Sequence, residues 1–281
     1  MVLKVGNDMG HGINTFPPSK GVFKNGIGYA EHTFNAKVGI KIREHLQRHG
    51  VHSMEAQAPN KPDVSLNKRT AYYNAHRVNL VWSTHANYNS KPDVKGMGIF
   101  YWKGNAQGKE IAEYYIKLCR EAGLPIWGNG VFESTNVPKD HWTNFAITRD
   151  TTSTALLAEN GFFSNDEDFN RIFNTPSYID LVGEISAKSI LYGLNVKWIP
   201  VVVVQPIAKP DVKPVSNIKE EVKVVEELKL TPAEQKVVNE AVRLRLIDGK
   251  EPFGEVSRIY LYAVLIGLAK RLEKLENERK V

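Results

Sequence analysis

A single cysteine, Cys119, in 281 residues excludes an internal disulfide and any thiolate-rich metal site, so the chain needs no oxidising compartment to fold. Cys119 reads as a small buried hydrophobe. No stretch approaches the about 20 apolar residues of a membrane span. The longest apolar run, around Ile199 to Val204, is interrupted by Pro200 and stops at Gln205, so no membrane insertion is expected. The opening Met1 to Asp8 is too short and polar for a secretory segment, which predicts no export by the general route. A concentrated block of one charge is also missing. The chain carries 37 Lys+Arg against 31 Asp+Glu, net +6, but the excess is +3 before residue 196 and +3 from there on. That diffuse excess argues against a nucleic-acid partner, which calls for a focused basic patch, and leaves room for a weak attraction to an anionic surface. Histidine is absent after His141, and all eight lie between His11 and that residue, so imidazole chemistry is confined to the N-terminal part.

What is present is an ordinary globular composition, 42% hydrophobic and 24% charged, enough to bury a core. Residues 2–7 read as a strand entering the turn Asp8-Met9-Gly10-His11-Gly12, and 13–28 as loop. Phe34, Val38, Ile42 and Leu46 recur every four residues, one helical face with Gly50 at the stop and Glu31 in the first turn. Ser65 caps a helix running to about His76, and Val78 to Ser83 is a buried strand breaking at Thr84-His85-Ala86-Asn87. A strand over Gly96–Trp102 precedes a helix over Gln107–Ala122. Residues 128–144 read as a long loop, Ala155 to Ala158 as a buried strand ending at Glu159, and Pro176 to Tyr192 as a helix stopped by Gly193. Strands alternating with helices predict an α/β fold: a mostly parallel twisted sheet flanked by helices on both faces. The domain plan is a catalytic domain over 1–195, a Pro-rich linker over 196–226 and a small C-terminal helical module over 227–281. In that module Thr231-Pro232-Ala233-Glu234 forms a capping box.

Three of these strands end in His11, His85 and Glu159. In open α/β sheets ligands bind beyond the carboxyl ends of strands, so the three groups converge, and Glu31 can point into the same crevice. Two imidazoles and a carboxylate leave one tetrahedral position open, the pattern of zinc hydrolases, with a fourth group free to move a proton. Each residue also has a plainer reading. A histidine at a strand end serves as a hydrogen-bonded structural group, and Glu31 as a helix-dipole carboxylate. Glu159 is harder to place structurally, because a carboxylate at the end of a buried strand is costly unless paired or near a cation.

The segments Asp8-Met9-Gly10-His11-Gly12, Glu31, Ser83-Thr84-His85-Ala86-Asn87 and Leu157-Ala158-Glu159-Asn160-Gly161-Phe162-Phe163-Ser164-Asn165, in that order, resemble the zinc-dependent N-acetylmuramoyl-L-alanine amidase family of the Amidase_3 type. Ser65-Leu66-Asn67-Lys68-Arg69, Gly96 to Tyr101 and Arg149 add to the likeness, which spans residues 1–194. The resemblance implies Zn2+ held by His11, Glu31 and His85, with Glu159 as general base and then acid. It implies substrate-side roles for Asn87 and Arg149, and cleavage of the amide between the lactyl group of N-acetylmuramic acid and L-alanine in peptidoglycan. Two departures stand out: Glu55-Ala56-Gln57 replaces the family's Thr-Arg, and Trp127 to Trp142 forms an unfamiliar loop suited to shaping substrate preference.

Catalytic domain, Pro-rich linker and small module form a layout similar to phage endolysins. This implies residence in the host cytoplasm until a holin-type pore opens, then action on the cell wall. The module is expected to bind the wall or to form a homodimer through its helices. The alternatives are a host-encoded autolysin or mother-cell amidase, a zinc peptidase acting within the stem peptide, and a wall-binding protein without chemistry.

Overall fold

The structure, a computed structural model, describes residues 2–200. The linker beyond Pro200, the module over 227–281 and the homodimer expected of its helices lie outside the described residues. Strands β1 (Lys4–Met9), β4 (His52–Met54), β5 (Leu80–Asn87), β6 (Met97–Trp102), β7 (Ile126–Ser134) and β8 (Thr154–Phe162) form one sheet in the order β4-β1-β5-β8-β6-β7. A hairpin, β2 (Gly21–Lys24) and β3 (Ile27–Ala30), stands apart. The helices are α1 (Glu31–Arg48), α2 (Leu66–Ala75), α3 (Ala106–Glu121), the single turn α4 (Ala146–Arg149), α5 (Asp166–Asn174) and α6 (Pro176–Gly193). No described helix is long and apolar enough to cross a membrane.

The pleat sorts the strand residues between two cores. Val5, Leu80, Trp82, Leu156, Ala158 and Ile99 face α1, α3 and α6. Their partners there are the predicted stripe Phe34, Val38, Ile42 and Leu46, with Tyr115 and Cys119 from α3. Val81, Phe100, Ala155 and Leu157 face the other way, against Tyr73 of α2 and Ile147 of α4. Helices therefore cover both faces, as the alternating pattern implies. Burial pushes the Cys119 thiol up to about 12, the behaviour of an inert core residue.

The sheet is mixed: β4, β1, β5 and β8 run parallel, and β6 with β7 runs parallel to its neighbour but antiparallel to β8. That is the mostly parallel sheet expected, but details differ from the sequence reading. The stretch 13–28 contains the hairpin β2–β3. The stretch 128–144 begins with β7, whose ladder with β6 skips from Met97↔Ile126 to Ile99↔Val131. Gly128 and Gly130, at φ 57° and 86°, make that bulge; read along the sequence, the two glycines look like a loop. β8 runs past Glu159 to Phe162, and the register slips between His85/Asn87 and Glu159/Phe162. At the end of α6, Asn195 at φ 55° takes the left-handed position expected of Gly193. Ser65 sits at the N-cap of α2 but accepts through its backbone carbonyl, from Lys68 N and Arg69 N, without a side-chain cap. The folded unit also extends beyond residue 195: Ile199 N donates to His49 Nε2 (2.8 Å), Arg48 donates to Ile199 O (3.0 Å) and Trp198 stacks on His49.

One buried cation ties β1 to α2. Arg69, 2% exposed, donates from Nε to Val64 O (2.6 Å), from Nη1 to Met9 O (2.9 Å) and Asp8 Oδ1 (3.2 Å), and from Nη2 to His11 O (3.1 Å), Gln57 Oε1 (3.1 Å) and Asp63 Oδ1 (2.6 Å). Asp8 completes its own shell with Ser83 Oγ (2.6 Å) and the Tyr73 hydroxyl (3.3 Å). Removing the guanidinium leaves a buried carboxylate and several carbonyls without donors. Arg69→Met should therefore lower unfolding free energy by about 3–5 kcal/mol in urea denaturation. A loss below about 1 kcal/mol, the scale of an exposed ion pair, would show that the network is replaceable.

Candidate active site

His11 lies two residues past the end of β1, at φ 63°. This left-handed conformation costs a side-chain-bearing residue about 1 kcal/mol. Arg69, through its bond to His11 O, and Gly10 N, donating to Thr84 O (3.0 Å), hold the turn in place. Glu31 opens α1, whose N-cap Ala30 has no side chain able to cap; Glu31 N donates instead to Lys20 O (3.0 Å). His85 lies near the end of β5. Gly10 is required beside it, since a Cβ there would stand 2.4 Å from the His85 ring.

Ligand atoms of His11, Glu31 and His85 all fall within 4.8 Å of one another. Glu31 Oε2 is 3.1 Å from His11 Nε2, and Oε1 is 3.0 Å from His85 Nδ1. The two imidazoles meet edge to face with centroids 4.8 Å apart. Glu31 Oε1 also accepts from Ala86 N (3.1 Å) and Asn35 Nδ2 (3.0 Å). Burial pushes the Glu31 carboxyl up, but the charge and hydrogen bond of His11 and the bond from His85 outweigh it and hold it well below the usual carboxylate range. Burial lowers His11, against the pull of Glu31. An ionised carboxylate and neutral imidazoles are the forms that coordinate a cation. The donor set matches the two-histidine, one-carboxylate pattern of zinc hydrolases, so the residues fit zinc.

Glu159 stands in register with His85 on β5 and Gly98 on β6, so the three share one face of the sheet. It is 9% exposed, and its Oε2 is buried without a hydrogen-bond partner. Burial first, then repulsion from Glu31, raises its pKa well above the carboxylate norm, against a smaller pull from Lys20. An unpartnered, proton-hungry carboxylate at the edge of a ligand cage is the signature of a group that handles protons.

Surrounding residues fix these groups. His32 Nδ1 donates to Gly10 O (3.0 Å), while its Nε2 accepts from Asn60 N (3.1 Å). Asn160 donates to His85 O (2.8 Å) and accepts from the Tyr115 hydroxyl (2.6 Å). Of the remaining sequence candidates, Asn87 ends β5, with its Oδ1 accepting from Tyr88 N (2.8 Å). Arg149 is not brought to this site. It precedes the start of β8, whereas Glu159 lies five residues into that strand, about 17 Å along at about 3.3 Å per residue. It pairs with Asp150 (2.7 Å) and Asn144. Sequence reading missed His32 and Asn35. The second was legible, because Asn35 is one helical turn from Glu31 and i,i+4 neighbours touch.

The sequence profile of Amidase_3, N-acetylmuramoyl-L-alanine amidase, matches residues 6–192. No curated protein matches the sequence. Among solved structures the chain is similar to an N-acetylmuramoyl-L-alanine amidase from Clostridium difficile 630, at 20% identity and TM-score 0.59 over 69% of this chain and 97% of that one. It is similar to the catalytic domain of CwlV, an N-acetylmuramoyl-L-alanine amidase from Bacillus (Paenibacillus) polymyxa var. colistinus, at 24% and 0.58 over 70% and 100%. It is also similar to the amidase AmiC2 of Nostoc punctiforme, at 22% and 0.56 over 69% and 97%. At these identities the structures support the shared fold, and the profile supplies the family. With a profile match across both histidines, Glu31 and Glu159, the chain belongs to the N-acetylmuramoyl-L-alanine amidase family.

Proposed function

We propose that this chain hydrolyses the amide joining the lactyl group of N-acetylmuramic acid to L-alanine in bacterial peptidoglycan, as a zinc enzyme. The observation that carries the reading is the His11–Glu31–His85 cage with the unpartnered Glu159 in register beside it. Zinc bound by the cage supplies Lewis acidity toward a carbonyl oxygen and brings the pKa of water down to about 7. Glu31 neutralises part of the cation's charge, and its bonds to Ala86 N and Asn35 keep it from rotating away. His11 and His85 approach from separate strands, and their backbones are held by Arg69 and Asn160 respectively. Glu159 Oε2 accepts the proton of the attacking water. As the carbon–nitrogen bond breaks, the same oxygen returns that proton to the alanine nitrogen, which leaves as a neutral amine. A cation held by His11, Glu31 and His85 would oppose the repulsion from Glu31 that helps to raise the Glu159 pKa.

The finer biological reading is a phage lysis enzyme, held in the host cytoplasm and released to the wall through a holin-type pore. It is supported by the order of catalytic region, proline-rich stretch and helical pattern in the sequence. A host autolysin is the second reading, supported by the bacterial origin of the similar structures.

Digestion of purified peptidoglycan, with mass spectrometry of the fragments, should release intact stem peptides bearing an L-alanine N-terminus, and a chelator should stop it. Fragments cut inside the stem peptide would instead identify a peptidase. His85→Ala should lose both zinc, by elemental analysis, and activity, whereas Glu159→Gln should keep the metal and lose turnover. Gly10→Ala, by crowding the His85 ring, should weaken zinc affinity by about tenfold or more in chelator competition. In metal-free protein a carboxyl whose pKa is raised on folding contributes stability below its ordinary pKa and loses it as pH climbs toward the raised value. The thermal midpoint of Glu159→Gln should therefore gain on wild type as pH rises above the ordinary carboxyl range. A pH-independent difference would contradict the raised pKa.

A further inference from the structure

An aromatic shelf adjoins Glu159 on the side away from His85. Gly98, the register partner of Glu159 on β6, has no side chain, and a Cβ there would lie 3.0 Å from the Trp127 indole and 3.1 Å from the Phe132 ring. Trp127 sits in the β7 bulge between Ile126 and Val131, and bulges beside active sites re-aim side chains. Its ring is 5.1 Å from Phe162 and 4.5 Å from Phe132. The shelf continues two residues further along β6, where Phe100 meets Trp142 edge-on at 5.7 Å. The two indoles, Trp127 and Trp142, are 6.2 Å apart.

Trp142 is 62% exposed, yet the loop that carries it is pinned. Ser134 Oγ donates to Thr143 O (2.5 Å), Asn144 to Lys139 O (2.6 Å), and the His141 ring meets Thr143 Oγ1 (2.8 Å). An indole this exposed on a pinned loop, 6.2 Å from Trp127, offers a face for a ligand to cover.

We propose that Trp127 and Trp142 form a saccharide subsite that stacks the pyranose rings of the glycan strand. This inference rests on the amidase reading and deepens it. The scissile amide separates a neutral sugar from a stem peptide bearing free carboxylates. On the rim of the site, Lys20 follows the His11 loop and its carbonyl accepts from Glu31 N, whereas the shelf over Gly98 presents aromatic faces. The apolar C–H face of a pyranose suits an indole, and carboxylates suit Lys20. The glycan therefore lies toward Trp127 and Trp142, and the stem peptide toward the His11 loop.

The test compares two soluble substrates, an N-acetylmuramoyl-peptide and the same peptide bearing only a lactoyl group, with wild type, Trp142→Ala and Trp142→Phe. The exposed position keeps the fold out of the question. The wild-type preference in kcat/KM for the sugar-bearing substrate should fall about tenfold in Trp142→Ala, chiefly through KM, and recover partly in Trp142→Phe. A preference equal to wild type in Trp142→Ala overturns the subsite. In parallel, an N-acetylglucosamine tetrasaccharide should quench tryptophan fluorescence of the zinc-loaded Glu159→Gln protein, and adding Trp142→Ala should abolish it. Absent or undiminished quenching also overturns the subsite. Failure of wild type to cleave either substrate would overturn the amidase reading itself, while the quenching experiment would still decide the subsite.

Discussion

Arg69 is the constraint on which the site depends. A guanidinium has five N–H donors in a fixed plane. Here they reach carbonyls or carboxylates of β1, the His11 turn and the 57–64 loop. Burying such a charge is unfavourable unless every donor is met. The network therefore has one satisfactory arrangement, and that arrangement places His11 in a backbone conformation it would not choose alone. The backbone of His11 is thus held from behind, by a buried side chain.

A second contrast sits inside the cage. Glu31 and Glu159 are both buried carboxylates, yet their pKa values move in opposite directions. Glu31 has two imidazoles, an amide and a backbone N–H as partners, and stays charged. Glu159 has no partner for its buried oxygen and Glu31 as a neighbour, and is driven toward the neutral form. Distinct surroundings give the same functional group two chemical characters, one suited to holding a cation and one suited to exchanging a proton.

Much of this was legible along the chain. The stripe Phe34-Val38-Ile42-Leu46 marked α1, and the apolar runs before His85 and Glu159 marked β5 and β8, because periodicity and burial are local signals. The coming together of His11, Glu31, His85 and Glu159 followed from the rule on strand ends and from the motif likeness. What escaped depends on partners far away in sequence. The reversal between β8 and β6 leaves no trace in either strand's composition. Gly128 and Gly130 look like chain breakers until β6 is laid beside them. Arg149 drew attention by its separation in sequence from Glu159, but the intervening strand carries it to the opposite pole.

That reversal has a consequence for how such an enzyme can diversify. β1, β5 and β8 all run toward the cleft and bring His11, His85 and Glu159 there. β6 and β7, running the other way, begin there instead. The segments entering these two strands border the candidate site, whose two histidines and two glutamates come from other elements. Evolution can lengthen, bulge or rebuild those entrances to suit another polymer while the exits remain untouched, so tuning of recognition is mechanically insulated from the chemistry.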